Sequence, residues 1–219
     1  MTTQKQIQFI FDEISQYYDF MNNLISFGTH YFIKYSALKK LNIKPNSTIV
    51  DLCCGTGDFV NLINNYYPNS KVIGIDFSQK MLKLAKLKNP TKDFIQADCT
   101  NLPFENEIFN YATIGFGLRN IQDRTKAINE IYRILTKGGK VLHIDFGKNN
   151  IFSKIFDIFV ELFAKVFKKD KQSYEYLIKS KNKFPPPEIL SKEFLQQGFS
   201  SVEIYYYMFG VIGVIIAEK

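Results

Sequence analysis

Apolar residues at Ile7, Ile10, Phe11, Ile14, Tyr17, Tyr18 and Met21 return every three or four places, which predicts one amphipathic helix at the N-terminus. A second helical stretch follows Gly28 and is closed by Pro45-Asn46. From Thr48 the period changes. Thr48 to Cys53 and Lys71 to Asp76 are short apolar runs ending in turns, the pattern of strands buried on both faces. Phe94 to Gln96, Asn110 to Ile114 and Lys140 to Asp145 add three more strands, with helical patterns such as Ser78 to Lys88 and Arg124 to Leu135 between them. Near the end, Pro187 to Gln197 reads as a helix stopped by Gly198, before two β-rich runs, Val202 to Tyr207 and Val211 to Ala217. Alternation of this kind predicts an α/β fold. Its sheet would have seven strands, mostly parallel, with a C-terminal antiparallel hairpin and helices on both faces.

No glycine/serine or charge-run linker divides the 219 residues, so a single domain is expected. It would comprise a helical cap (1–46), a core (47–147), a helical insertion (148–186) and a terminal helix with hairpin (187–219). Nothing resembles a secretory signal, and no run of about 18 uncharged apolar residues predicts a spanning helix. Cys53, Cys54 and Cys99 lack zinc-ligand or C-x-x-C spacing, so they read as buried thiols in a reducing, cytoplasmic compartment and no metal is expected. The net charge of +7 fits a nucleic acid, an anionic membrane or a merely lysine-rich surface, and does not choose among them.

The chemistry concentrates at the ends of the predicted strands, where open α/β sheets bind ligands. Asp51-Leu52-Cys53-Cys54-Gly55-Thr56-Gly57 ends the first strand and turns on Gly55 and Gly57. A dinucleotide site needs a third glycine near the pyrophosphate, and that place is Val60. An acid at Asp51 suits a cation and would repel a phosphate, so the turn favours S-adenosylmethionine, with its sulfonium and ammonium, over NAD. Asp76 ends the second strand and can accept both hydroxyls of a ribose. Asp98 follows the third and can accept from an adenine amine, while the Cys99 backbone N–H can donate to a ring nitrogen.

These residues, together with Phe11-Asp12-Glu13-Ile14, Tyr18-Asp19-Phe20-Met21-Asn22, Ser26-Phe27-Gly28-Thr29-His30 and above all Phe116-Gly117-Leu118-Arg119-Asn120, resemble the ubiquinone/menaquinone biosynthesis C-methyltransferases. That family is a branch of the class I methyltransferases, whose fold is Rossmann-like. The similarity runs from residue 11 almost to the end. It implies that Thr56, Asp76, Phe77, the Asp98-Cys99 pair and Gly115 contact S-adenosyl-L-methionine, although some relatives carry serine at the place of Gly115. Tyr31 and Ile33 stand where arginine and tryptophan are usual, and the C-terminal Gly210-Val211-Ile212-Gly213 lacks the usual histidine. These departures lie on the substrate side.

The resemblance implies a lipophilic quinol substrate, demethylmenaquinol-type favoured. A phenol oxygen or sterol carbon is the alternative acceptor, and no nucleic acid is expected, since no Asn-Pro-Pro-Tyr type motif or Pro-Cys dipeptide is present. Methylating a ring carbon requires ionising the quinol hydroxyl, whose ordinary pKa is near about 10. Arg119 is the expected stabiliser of that charge, with an ion pair to Asp123 as its competing structural role. His30, Asn120 and Tyr18 are further catalytic candidates, and His143, inside a strand, reads as structural. Finally, Phe152, Phe156, Phe159, Phe163 and Phe167 fall within an arc of roughly 80° on one helix. Lys154, Asp157, Glu161, Lys165 and Lys168 fall opposite. Such a stripe either packs in the core or serves the lipid tail and the membrane surface.

Overall fold

The computed structural model describes residues 4–166 and 171–219. Its sheet has seven strands: β1 (Thr48–Leu52), β2 (Lys71–Asp76), β3 (Asp93–Gln96), β4 (Phe109–Gly115), β5 (Leu135–Phe146), β6 (Ser201–Tyr207) and β7 (Ile212–Glu218). They lie in the order β3-β2-β1-β4-β5-β7-β6. The first five run parallel, whereas β7 is antiparallel to both β5 and β6. The predicted α/β class and C-terminal hairpin are therefore observed. β5 starts earlier than its apolar run, because Leu135 pairs with Phe109 ahead of the Gly138-Gly139 stretch.

Alternate residues of the strands serve two separate cores, as the pleat requires. Ile49, Leu142, Ile144, Val214 and Ile216 pack with Ala37 and Leu38 of α3 (Thr29–Lys40) and with Phe59, Val60 and Ile63 of α4 (Asp58–Tyr66). Val50, Leu52, Ala112, Ile114 and Ile215 face the other way, onto α6 (Arg124–Ile134) and α9 (Pro187–Gln196). α5 (Gln79–Lys88) starts at Ser78, whose hydroxyl accepts from the Met81 N–H as an N-cap. α9 stops before Gly198, whose φ of 102° is the left-handed geometry its sequence predicts.

The N-terminal segment departs from expectation. Instead of one helix there are two, α1 (Gln4–Ile14) and α2 (Tyr18–Ser26), broken at Ser15-Gln16-Tyr17. The break lets each half be tied separately to the sheet's cofactor loops. Asp12 accepts from the Ser78 hydroxyl at 2.5 Å, and Asp19 from the Thr56 hydroxyl at 2.6 Å. Lys88 pairs with the other Asp19 oxygen.

α7 (Ile151–Val166) and α8 (Lys171–Lys183) cross over the same end of the sheet. Of the α7 phenylalanines whose side chains are described, only Phe156 lies on its inward face. That face carries Ser153, Phe156, Val160 and Asp157, the last paired with Lys181 of α8 at 2.6 Å. Phe152 instead stacks on Phe209, and Phe159 lies against Phe27. Ile151, Ile155, Ile158 and Leu162, each more than half exposed, make an outward apolar stripe that counting phenylalanines alone overlooks. Phe167 and Lys168, and the side chains of Phe163 and Lys165, lie outside the described residues. Among the described residues no helix is long and apolar enough to cross a membrane, and no cluster of metal-ligating side chains occurs.

Candidate active site

Two cavities open beyond the carboxyl ends of the parallel strands and meet at Gly55, Gly115, Cys53, Tyr18 and Phe116. The first residues to consider are the carboxylates that end β1 and β2. Asp76 receives the Gly55 N–H on one oxygen and the Ser78 N–H on the other, both at 2.9 Å. These bonds fix the carboxylate at the floor of the smaller cavity and leave each oxygen further lone pairs for a ligand hydroxyl. Burial pushes its pKa up to about 6, against the pull of those N–H groups.

Asp51 is 1% exposed, with one oxygen accepting from the Thr113 hydroxyl at 2.7 Å and the other without any partner. Burial raises its pKa to about 7, despite the Thr113 hydrogen bond and nearby Lys34. A buried, half-satisfied carboxylate lining a cavity fits a cationic ligand, since leaving such an oxygen unmet is costly.

The smaller cavity is lined by Asp76, Phe77, Asp98, Cys99, Gly115 and Asn120, among others. Its carboxylates and the Phe77 ring suit an adenosine. Asp98 accepts the Thr100 N–H at 2.8 Å, an Asx turn that sets its carboxylate at the rim. Cys53 and Cys99 bring their sulfurs to 3.6 Å across this cavity as free thiols. Gly115 has no room for a side chain, because a Cβ there would lie 2.6 Å from the Phe59 ring. The Phe59 ring fills the space that a side chain at this position would take.

Two candidate residues are placed differently from the others. Gly57 lines neither cavity. Its φ of 87° and its closeness to Asn89 and Ala85 make it the turn that docks α4 on α5. Asn120 faces the smaller cavity rather than the larger one, and its amide is held by the Tyr176 hydroxyl and the Phe116 carbonyl. Thr56 lines the larger cavity, but its hydroxyl is donated to Asp19.

The larger cavity is walled by apolar residues from the cap and insertion, including Met21, Ile25, Phe156, Tyr174 and Leu177, and by Phe146 at the end of β5. Into this wall project Tyr18, His30, Lys34, Asp58 and Arg119. Arg119 follows β4 on a short 3₁₀ turn (Leu118–Asn120) and is only 7% exposed. It donates to Asp145 at 2.9 Å and to the Phe116 carbonyl at 2.7 Å, and it lies over the Phe146 ring at 5.2 Å. Its Nε has no partner.

The Arg119–Asp123 clamp considered from sequence is thus absent. Asp123 caps α6 by accepting the Lys126 N–H, and Asp145 is the true partner. Asp145 ends β5 as Asp51 ends β1, a regularity that could have flagged it. Burial raises the Asp145 pKa, and Arg119 opposes that shift.

His30 joins Ser26 through Nδ1 at 2.7 Å, while its Nε2 lies 3.9 Å from Asp58, beyond hydrogen-bond reach. Burial lowers its pKa to about 4, so the ring is neutral at ordinary pH. The Tyr18 hydroxyl is pushed up by burial and remains protonated. His143 is buried in β5 beside Phe184 and Phe194, lines neither cavity and is held neutral, with its pKa lowered to about 3 by burial. Lys34, Asp58 and Asp145 were not singled out by sequence reasoning.

The solved structures similar to this one include several described as SAM-dependent methyltransferases. One is a SAM-dependent methyltransferase, possibly acting on histamine nitrogen, from Thermotoga maritima (TM-score 0.71, 21% identity, 97% of this chain and 99% of that one). Another, from Methanococcus maripaludis, is described as a candidate S-adenosyl-L-methionine-dependent methyltransferase (TM-score 0.65, 22% identity, 100% and 94%). At these identities they speak for the fold. Among curated proteins, the demethylmenaquinone methyltransferase of Staphylococcus saprophyticus is 36% identical over 228 residues, covering 99% of this chain and 97% of its own. That of Anoxybacillus flavithermus is 32% identical, covering 99% and 96%. The model of the ubiE/COQ5 methyltransferase family matches residues 1–219. With two cavities meeting at the strand ends and an unmet carboxylate lining the larger of them, the chain belongs to the ubiE/COQ5 methyltransferase family and takes its methyl group from S-adenosyl-L-methionine.

Proposed function

We propose that this enzyme methylates a ring carbon of a prenylated quinol, of the demethylmenaquinol type. The observation that carries the reading is the join at Gly55 and Gly115 between an adenosine slot with acidic strand ends and an apolar cavity holding one nearly buried guanidinium. The relatives at 36% and 32% identity are demethylmenaquinone methyltransferases, which points to the same substrate.

The cofactor supplies an electrophilic methyl, and the protein must align the acceptor and exclude water. A ring carbon has no lone pair, so the enzyme must favour the phenolate, whose ortho carbon is electron-rich. Arg119 can stabilise that developing charge, because Asp145 and the Phe116 carbonyl hold its guanidinium in one place. A guanidinium stays protonated at ordinary pH, so its role is electrostatic rather than basic. The neutral His30 ring can accept a hydrogen bond or proton on the same wall. Tyr18, at the junction of the cavities, can orient the quinol, whereas Asn120 supports the cofactor side through Tyr176.

The enzyme works at the cytoplasmic face of the membrane that holds its substrate, touching it through α7. Four observations support this contact: the outward stripe of Ile151, Ile155, Ile158 and Leu162, the exposed rings of Phe27 and Phe209 beside it, the neighbouring exposed Lys154, and the larger cavity, lined by Phe156 and Met208.

The test is transfer of labelled methyl to demethylated naphthoquinols and benzoquinols under anaerobic, reducing conditions. Methylation should occur on carbon and require the reduced ring. Equal turnover on the oxidised quinone, with reductant strictly excluded, would overturn the phenolate mechanism.

A further inference from the structure

Lys34 of α3 is a lysine only 8% exposed, reaching from the cap into the larger cavity. Its Nζ donates to Asp58 at 2.7 Å and lies 5.8 Å from the centre of the Phe59 ring. An ammonium has three donors and Asp58 engages one, so two remain for a ligand. Asp58 opens α4 directly after the Gly55-Thr56-Gly57 turn, which ties Lys34 to the cofactor loop. Asp51, with its unpartnered oxygen, lines the same cavity and interacts electrostatically with Lys34.

The adenosine residues lie in the smaller cavity. The rest of the cofactor must therefore pass the junction at Gly55 and Gly115 into the space that Asp51 and Lys34 share. The ammonium and carboxylate of an amino acid branch from one carbon, so their protein partners must stand side by side with opposite charges. We propose that Asp51 and Lys34 form this pair, with Lys34 binding the cofactor's carboxylate and Asp51 its ammonium.

Asp58 is then a positioning residue. Burial works against charge on both Asp58 and Lys34, yet their ion pair prevails, lowering the first pKa and raising the second. Lys34 is thereby held charged against the effect of its burial. The inference rests on the reading of this cleft as the cofactor site.

Calorimetry on the full chain with three thioethers tests it. S-adenosylhomocysteine carries the whole amino-acid end, its decarboxylated analogue keeps only the ammonium, and 5′-methylthioadenosine has neither. The wild-type protein should bind the decarboxylated analogue about tenfold or more weaker than S-adenosylhomocysteine, the scale of one charged hydrogen bond. Lys34→Gln should erase most of that gap while leaving 5′-methylthioadenosine affinity unchanged, and Lys34→Arg should keep it. Wild-type protein that binds the first two ligands equally overturns the proposal without help from any variant. So does a Lys34→Gln protein that keeps the gap, or one that loses all three ligands alike. Wild-type protein that binds none of the three overturns the reading of the cleft itself, and this assignment with it.

Discussion

Buried carboxylates set the residue-scale behaviour of this enzyme. Without cofactor, Asp51 keeps its proton up to about pH 7 and Asp76 up to about pH 6, both through burial, whereas an unfolded aspartate releases it near pH 4. Between those limits the folded state binds more protons than the unfolded one, so this contribution to stability falls as pH rises. Asp58 acts with the opposite sign: Lys34 overcomes burial and lowers its pKa, so its contribution is present at neutral pH and lost in acid. A cofactor cation beside Asp51 should drive off its remaining proton. Cofactor affinity should therefore rise from pH 6 to pH 8, with proton release visible in buffers of differing ionisation enthalpy. Asp51→Asn should abolish the Asp51 part of that release; an unchanged release would show that Asp51 does not meet the cation. Arg119→Ala should slow single-turnover methylation on the order of a hundredfold or more and leave cofactor affinity nearly alone. Asp145→Asn, which leaves that guanidinium without its buried counter-ion, should lower the melting temperature, because breaking a buried pair costs about 3–5 kcal/mol. If Arg119→Ala melts early and weakens cofactor binding in proportion to its rate loss, the electrostatic role is wrong.

Each element carries its own signal, and some carry a hidden one. The strands were legible because β1, β2, β4 and β5 are apolar on both faces, each face meeting its own core. α6 was legible to within a residue, with Asp123 as its cap rather than an ion-pair partner. Asp123→Ala should cost about 1 kcal/mol of stability, read in the denaturation midpoint, with turnover per folded molecule retained. The break between α1 and α2 was not legible, since Tyr17 and Tyr18 continue the apolar period straight through it. What breaks the helix is distant: Asp12 and Asp19 each reach a loop of the sheet. Asp19→Ala should loosen α2 from the cofactor turn. Faster limited proteolysis between residues 1 and 28, slowed less by S-adenosylhomocysteine than in the wild type, is the expected readout.

For the whole molecule, the cap and insertion convert the ligand-binding end of the sheet into a largely apolar chamber. The face of α7 turned away from that chamber, Ile151, Ile155, Ile158 and Leu162, should be what meets lipid. Ile155→Glu with Ile158→Glu should weaken co-sedimentation with anionic vesicles and slow methylation of long-tailed quinol in those vesicles. Turnover of a short-tailed, water-soluble quinol should be unaffected. Loss of both activities together would mean that the stripe supports the fold instead.

The amino-acid sequence by itself determined the α/β alternation, the hairpin, the cofactor turn and the carboxylates at the strand ends. These are local matters: side-chain period, glycine turns and the chemistry of single residues are written within a few positions of one another. Only the tertiary structure decided which groups share a cavity. Arg119 meets Asp145 and not Asp123, Lys34 meets Asp58 across α3 and α4, and Gly57 packs its turn against Ala85 and Asn89. Those partners lie 26 and 24 residues apart, on elements brought together by the sheet order, and no sequence period encodes which strand end will face which helix.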